Sequence, residues 1–183
     1  MIAPFNYGRV IMDEIRLYKI SSEYLKFLHS LDKRISVKYN NRPFVGTVVM
    51  LNGIPYVLPL TSQTTSERKK AGKNKRAAML TTFVRGSAGE EIANILHNNM
   101  FPVMENVLTP VVIDVEKDTY EANEARYIRK HKDEIIEKAR KLHDKRILSP
   151  NDFLKQTCCD FKMLEENYQN FSSVASPPVL PRQ

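Results

Sequence analysis

The dipeptide Asn52-Gly53 constrains the fold of this chain more than any other local feature. Two runs rich in β-branched and other apolar residues, Phe44 to Leu51 and Ile54 to Leu60, lie directly on either side of it. Asn and Gly both adopt the positive φ angles of a type I′ turn, and this turn matches the twist of two antiparallel strands. The sequence therefore predicts a β-hairpin from Phe44 to Leu60.

The spacing of apolar residues predicts further elements around this hairpin. Short apolar or alternating runs indicate three more strands: Ile15 to Ile20, Met79 to Val84 and Val107 to Val115. The run from Glu90 to Leu96 fits either a strand or a helical turn. Helical spacing indicates three helices: one capped by Ser21 or Ser22, one from about Tyr120 to Arg146, and one beginning near Asp160. Early strands and a helical C-terminal half predict an α+β fold on a mainly antiparallel sheet.

The chain is basic, with a formal net charge of +7 at pH 7, and this charge is concentrated in one segment. Six of the nine residues from Arg68 to Arg76 are Lys or Arg. The whole stretch from Thr61 to Arg76 lacks apolar periodicity, so we expect an exposed loop that leaves the second hairpin strand. Clustered positive charge favours a polyanionic partner, although a solvated loop without function would have the same composition.

Sequence motifs for several common catalytic centres are missing from the chain. It has no Gly-rich phosphate loop, no HExxH motif and no paired cysteines at metal-binding spacing. The adjacent Cys158 and Cys159 are poorly placed for a mutual disulfide, so we interpret them as buried thiols. No run approaches the ~20 apolar residues of a membrane span, and the N-terminus lacks a signal-peptide pattern. We therefore expect a cytoplasmic protein that has no membrane contact and needs no metal or other cofactor.

Hydroxyl groups stand where the predicted hairpin meets the basic segment. The second strand ends in Pro59-Leu60-Thr61-Ser62 and continues directly into the cation-rich stretch. Hydroxyls at a rigid strand end beside flexible cations suit the binding of phosphate. Ordinary hydrogen bonding at a strand end is the alternative explanation for Thr61 and Ser62.

Four segments of the chain together resemble the ToxN/AbiQ family of type III toxin-antitoxin endoribonucleases. In family order, they are Leu17 to Tyr24, Tyr39 to Gly46, Tyr56 to Ser62, and Cys158 to Tyr168. The third, an aromatic strand that ends in Pro-Leu-Thr-Ser, is the most characteristic. Because the matches span Leu17 to Phe171, the resemblance covers nearly the whole chain.

This resemblance implies a fold related to the Kid/MazF toxins, with a curved antiparallel sheet surrounded by helices. It implies a toxin domain from Met12 to Phe171, with Met1 to Ile11 as an extension, native or added. Residues 172–183, which contain three prolines and little to bury, are expected to be disordered.

The resemblance also implies an activity and partners. RNA of the cell or of a phage would be cleaved without metal by the ribose 2′-hydroxyl, leaving a 2′,3′-cyclic phosphate and a 5′-hydroxyl. An antitoxin RNA of tandem repeats, each folded as a pseudoknot, would inhibit the toxin, and the two would form a higher-order assembly. The pair would act in abortive phage infection.

Carried onto this sequence, the family's site places the hydroxyls of Thr61 and Ser62 against the scissile phosphate. Arg42 would contact the same phosphate through two nitrogens of its guanidinium group. Tyr39 and Tyr24 would orient the base or the sugar, although Tyr24 fits the apolar face of its helix equally well.

One departure from the family pattern concerns the catalytic lysine. Family members continue from Thr-Ser into Pro-Lys, whereas Gln63 to Glu67 intervene here. The role of this lysine would pass to Lys69, Lys70 or another cation, and the sequence does not decide among them. A lysine acts as a base at neutral pH only when its pKa is strongly depressed, so a charged stabiliser fits better.

The remaining cations of the basic segment are expected to bind RNA: Arg68, Lys73, Lys75 and Arg76. A non-catalytic RNA-binding protein is the main alternative, because it would explain the charge equally well. Such a protein would lose little when Ser62 is replaced by alanine, whereas a nuclease would lose cleavage.

Overall fold

The computed structural model describes residues 16–37, 44–114, 116–117 and 119–172. Within these ranges the strands form one sheet: β1 (Leu17–Ile20), β2 (Val45–Leu51), β3 (Ile54–Thr61), β4 (Thr81–Arg85), β5 (Glu91–Leu96), β6 (Phe101–Pro102) and β7 (Leu108–Pro110). Their order is β4-β5-β3-β2-β1-β7, and β6 pairs with β3 beside β5. Every described strand pair is antiparallel, so the predicted α+β fold on an antiparallel sheet is confirmed.

The predicted hairpin is confirmed and forms the centre of the sheet. Asn52 and Gly53 adopt φ angles of 51° and 82°, as a type I′ turn requires. The strands pair from Leu51 with Ile54 to Gly46 with Pro59. Most side chains of both strands are buried, because helices or other strands cover this part of the sheet.

Helices follow the early strands and dominate the C-terminal half: α1 (Ser22–Leu31), α2 (Thr65–Lys70), α3 (Tyr120–Lys130), α4 (Lys132–Leu148), α5 (Asp152–Thr157) and α6 (Phe161–Asn167). Ser21 caps α1 and Asp160 caps α6, as predicted. The expected single helix from Tyr120 to Arg146 is two helices that meet at His131. No Gly or Pro marks this junction. Helix α5, capped by Asn151, was not predicted.

Three strand predictions had the wrong bounds. The strand expected from Ile15 to Ile20 begins at Leu17, since Arg16 is not in a strand and Ile15 lies outside the described residues. Residues 78–80 form a turn, so β4 begins at Thr81 rather than Met79. Of the strand expected from Val107 to Val115, the described residues place only Leu108–Pro110 in β7, although the N–H of Val111 still donates a 2.8 Å hydrogen bond to the carbonyl oxygen of Leu17. The ambiguous run from Glu90 to Leu96 is strand β5.

One cluster of buried apolar side chains unites the sheet with α1 and the C-terminal helices. Helix α3 packs on β4 and β5, α4 packs on β2, and α6 packs on β6. No described helix is both long and apolar enough to cross a membrane. The predictions for residues 1–11, for Tyr39 and Arg42, and for the tail after Ser172 lie outside the described residues.

Candidate active site

A surface groove of about 690 Å³ contains Ser62, the residue that follows β3. The side chain of Ser62 is exposed. The other walls come from β1, the start of β2, the segment after β7 and the start of α3, through Lys19, Val45, Val111, Tyr120 and Glu124 among others. The groove thus joins the N-terminal strands to the helical half of the chain and presents one hydroxyl at a strand end.

Thr61 and Ser62 are neighbours in sequence, but they have different surroundings. Thr61 is the last residue of β3 and pairs with Asn94 of β5. Its hydroxyl oxygen accepts a hydrogen bond of 3.3 Å from the backbone N–H of Gln63, an ordinary contact at the end of a strand. Among these two predicted catalytic hydroxyls, only that of Ser62 belongs to a residue lining the groove.

Gln63 accepts hydrogen bonds from Arg68 and Arg76, the first and last cations of the basic segment. Its carbonyl oxygen accepts from Asn94 Nδ2 at 2.9 Å and from Arg76 Nη1 at 3.2 Å. Its side-chain oxygen accepts from Arg68 Nη1 at 3.3 Å and from Arg76 Nη2 at 3.4 Å. Burial lowers the pKa of Arg76, and the nearby Arg68 cation lowers it further. Both arginines predicted to bind RNA therefore hold the segment in place.

The basic segment contains helix α2, so the prediction of a loop from Thr61 to Arg76 was wrong in part. Thr64 and Glu67 form a capping box, in which each side chain bonds the backbone N–H of the other residue. Glu91 Oε1 accepts a further bond of 2.8 Å from the N–H of Thr65. Arg68, Lys69 and Lys70 occupy the last turn, where cations stabilise the helix dipole. The expected exposure is confirmed, since α2 has no buried residue.

The lysines predicted as catalytic or RNA-binding residues are all exposed. Lys69 and Lys70 end α2, and Lys73 follows it. Lys75 Nζ lies 5.1 Å from the ring centroid of Phe83 on β4, a cation–π geometry. The segment thus offers ammonium groups to solvent while its arginines face inward.

Several polar residues that line the groove were not predicted from the sequence: Lys19, Asp114, Lys117, Thr119, Tyr120, Glu121 and Glu124. Lys19 lies on β1, and Tyr120 and Glu124 lie on α3. The hydroxyl of Tyr120 donates a 2.6 Å hydrogen bond to the carbonyl oxygen of Ile92. Burial raises the pKa of Tyr120, and the Glu124 carboxylate raises it further, so this phenol stays protonated at neutral pH. The pairing of β1 with β2 and of β2 with β3 places Lys19 near the end of β3, whereas the packing of α3 on β4 and β5 places Tyr120 and Glu124 there. No local sequence pattern indicates either contact.

Tyr24 is a core residue, which contradicts its prediction as an RNA-stacking side chain. It is 0% exposed, and its hydroxyl donates a 2.8 Å hydrogen bond to the carbonyl oxygen of Pro102. Its ring lies edge-on to Phe171, with 5.2 Å between the centroids, and burial raises its pKa. Its helical spacing with Leu28 was the stronger of the two signals.

The described ranges hold no group of three or more His, Cys, Asp or Glu residues placed to bind a metal ion. Cys158 and Cys159 are buried free thiols, as predicted. His97 and His143 are buried in the core, and His97 Nε2 lies 2.9 Å from Thr82 Oγ1. Burial lowers the pKa of His97 to about 3, so its ring is neutral at physiological pH.

Comparison with known proteins identifies relatives along nearly the whole chain. The family described as toxin ToxN of type III toxin-antitoxin systems matches residues 16–169. Endoribonuclease AbiQ of Lactococcus lactis subsp. lactis is 25% identical over 170 residues, which cover 90% of this chain and 93% of AbiQ.

Solved structures show the same fold. The structure of AbiQ, a lactococcal anti-phage endoribonuclease of a type III toxin-antitoxin system, matches with a TM-score of 0.72 and 22% identity, covering 86% of this chain and 97% of AbiQ. A second structure, of a type III toxin selectively inhibited by a non-coding RNA pseudoknot, matches with a TM-score of 0.70 and 25% identity, covering 86% and 98%. A relation to the Kid/MazF toxins stays a prediction.

Proposed function

Because the chain belongs to the ToxN family of toxins from type III toxin-antitoxin systems, we propose that it is a metal-independent endoribonuclease. The observation that carries this proposal is the exposed Ser62, which lines a groove with Lys19 at the start of the basic segment. A serine hydroxyl and several ammonium groups can stabilise the charge that develops on a reacting phosphate without a metal.

The proposed reaction is an internal transesterification of RNA. A general base takes the proton of the ribose 2′-hydroxyl as its oxygen attacks the neighbouring phosphorus. The bond from phosphorus to the 5′-oxygen breaks, and a general acid donates a proton to that oxygen. The products are a 2′,3′-cyclic phosphate and a 5′-hydroxyl. Since the substrate supplies the nucleophile, the protein supplies proton transfer and stabilisation of the charge on the phosphorane.

We assign charge stabilisation to Ser62 and to the exposed lysines. The Ser62 hydroxyl donates a hydrogen bond to a non-bridging phosphate oxygen, and Lys19, which also lines the groove, brings its ammonium to the same phosphate. Lys69 and Lys70, at the end of α2, carry the role that family members give to a lysine directly after the Thr-Ser pair. Arg42 stands three residues before Val45, which lines the groove, and it joins this set together with Tyr39.

Inhibition by RNA is the second part of the proposal. The AbiQ-like fold, the groove and the exposed lysines from Lys69 to Lys75 suit an antitoxin RNA whose phosphates cover Ser62. A type III toxin of similar structure is inhibited by a non-coding RNA pseudoknot. We extend this inhibition to the present chain, with a higher-order toxin–RNA assembly and a role in abortive phage infection through cytoplasmic RNA.

A non-catalytic RNA-binding protein is the alternative that a specific observation favours. The Thr61 hydroxyl oxygen and the guanidinium groups of Arg68 and Arg76 all bond Gln63. In a non-catalytic protein, these bonds would maintain a basic surface for RNA binding, and Ser62 would have no catalytic role.

The chemistry is tested by incubating the purified protein with mixed-sequence single-stranded RNA in EDTA and mapping the ends of the products. The proposal predicts cleavage with cyclic phosphate and 5′-hydroxyl ends. Once a cut is mapped, the RNA is made again with a single deoxyribose on the 5′ side of that cut, which should abolish cleavage there. Binding without cleavage would favour the alternative, and cleavage at the deoxyribose would exclude the 2′-hydroxyl mechanism.

A further inference from the structure

We propose that Asn94 is a positioning residue for RNA cleavage, because its buried amide fixes the turn that carries Ser62. The inference rests on the proposed nuclease function. It concerns a part of the site in which this chain departs from the family pattern, where Gln63 to Glu67 separate the Thr-Ser pair from the cations.

Asn94 contacts the chain on both sides of Ser62. On one side, it is the β5 partner of Thr61. On the other, its Nδ2 donates to the carbonyl oxygen of Gln63 at 2.9 Å. The same Nδ2 donates to Glu91 Oε1 at 3.0 Å, and that oxygen accepts the N–H of Thr65 at 2.8 Å. The position of Ser62 is therefore set between two points that Asn94 holds.

The surroundings of Asn94 indicate that its side-chain N–H groups, and not its side-chain oxygen, make its stabilising contacts. The residue is 0% exposed, and its Oδ1 has no hydrogen-bond partner among the described residues. A buried acceptor without a partner is costly. Both atoms facing Nδ2 are acceptors, so the hydrogen-bond network itself orients the amide. The two bonds that the Asn94 amide donates therefore offset the free-energy cost of its unpaired buried oxygen.

The same contact links Ser62 to the cations. The Gln63 carbonyl that accepts from Asn94 also accepts from Arg76, at the far end of the basic segment. The Glu91 carboxylate that accepts from Asn94 also holds the first residue of α2, the helix that ends in Lys69 and Lys70. One amide on β5 thereby determines where the hydroxyl and the lysines lie relative to each other.

Small displacements of a reacting constellation have large effects on rate, since a shift of about 1 Å costs up to about 100-fold. We expect Asn94→Ala to lower kcat for RNA cleavage by about 10-fold to 100-fold. The Kd for an uncleavable RNA with 2′-O-methyl riboses should change far less, because the exposed lysines are retained. Asn94→Asp should be worse than alanine, since its carboxylate faces the Gln63 carbonyl and the Glu91 carboxylate.

Asn98→Ala is the matched control. The Asn98 amide donates a 2.9 Å bond to the carbonyl oxygen of Thr157, away from the groove, so its loss removes a similar bond without moving Ser62. This variant should keep the wild-type kcat. Equal losses of kcat in Asn94→Ala and Asn98→Ala, or an unchanged kcat in Asn94→Ala, would overturn the inference.

A second measurement does not depend on nuclease activity. Release of the turn should make the segment from Arg68 to Arg76 more susceptible to trypsin in Asn94→Ala than in wild type or Asn98→Ala. If Asn94→Ala does not fold, Glu91→Ala at a half-buried position breaks the same network and should show the same faster nicking. Unchanged nicking overturns the positioning role, whereas a wild-type protein that leaves RNA intact overturns the proposed function and not the network.

Discussion

The hydroxyl of Tyr56 donates a 2.7 Å hydrogen bond to Glu165 Oε1, which joins the second hairpin strand to helix α6. His143 Nε2 lies 2.7 Å from the same carboxylate oxygen, and the His143 ring lies against Phe161. The Glu165 carboxylate thus links strand β3 to helix α6, although Tyr56 and Glu165 are 109 residues apart in the sequence.

Loss of this contact should reduce stability without changing the site. Tyr56 is fully buried, and its hydroxyl gives α6 one of its polar links to the sheet. We expect Tyr56→Phe to lower the free energy of unfolding by about 1–2 kcal/mol, measured by urea denaturation. Tyr127→Phe, at a half-buried position, is the control and should change it by less than about 0.5 kcal/mol. Equal stability of both variants would show that the bond to Glu165 contributes nothing.

Acid should destabilise the protein through His97. Its folded pKa of about 3 lies below the unfolded value near 6.5, because burial disfavours the charged ring. The neutral ring therefore contributes stability above about pH 6.5, and this stability is lost as the pH falls towards 3. Between pH 7 and pH 5 the loss should be about 2 kcal/mol, followed as a decrease in Tm. His97→Gln should reduce this pH dependence, and an unchanged slope in that variant would contradict the assignment.

The exposed lysines of the basic segment should dominate the salt dependence of RNA binding. Each lost phosphate contact lowers the slope of log K against log salt by about 0.7 for single-stranded RNA. The triple variant Lys69→Ala, Lys70→Ala, Lys73→Ala should therefore bind more weakly and lose about two units of slope. The triple variant Lys26→Ala, Lys155→Ala, Lys162→Ala, at exposed positions outside the basic segment, is the control for the same change of net charge. An unchanged slope in the triple variant would place the RNA on another surface.

Lys19 should act on cleavage more than on affinity. Lys19 lines the groove that contains Ser62 and is exposed, so its ammonium is available for charge that develops on the phosphate in the transition state. We expect Lys19→Ala to lower kcat by about 10-fold or more, whereas Lys26→Ala, exposed on α1, should leave kcat unchanged. Single-turnover cleavage with excess enzyme measures this. Equal rates for the two variants would remove Lys19 from the site.

Features set by adjacent residues could be predicted from the sequence. The hairpin followed from the turn chemistry of Asn52-Gly53, and the start of α6 followed from the capping ability of Asp160. Helix α2 could also have been predicted from the sequence, since Thr64 and Glu67 have the spacing of a capping box. It was missed because apolar periodicity was the criterion, and a helix without a buried face has none.

Features set by distant packing could not be predicted in this way. The proximity of Lys19 to Ser62 depends on the pairing of β1 with β2 and of β2 with β3, and that of Tyr120 and Glu124 depends on the packing of α3 against β4 and β5. The bond from Asn94 to Gln63 joins residues 31 positions apart. Tyr24 shows the converse, since its helical spacing indicated the core while the family resemblance suggested an RNA contact.

The most direct test of the central claim compares Ser62→Ala with Ser66→Ala, an exposed serine on α2, in RNA cleavage with EDTA and in binding to uncleavable RNA. Loss of one hydrogen-bond donor to the reacting phosphate should reduce cleavage by about 100-fold or more in Ser62→Ala. Its RNA affinity should stay near that of wild type, and Ser66→Ala should cleave normally. Wild-type cleavage by Ser62→Ala would contradict the assignment of this hydroxyl to the active site.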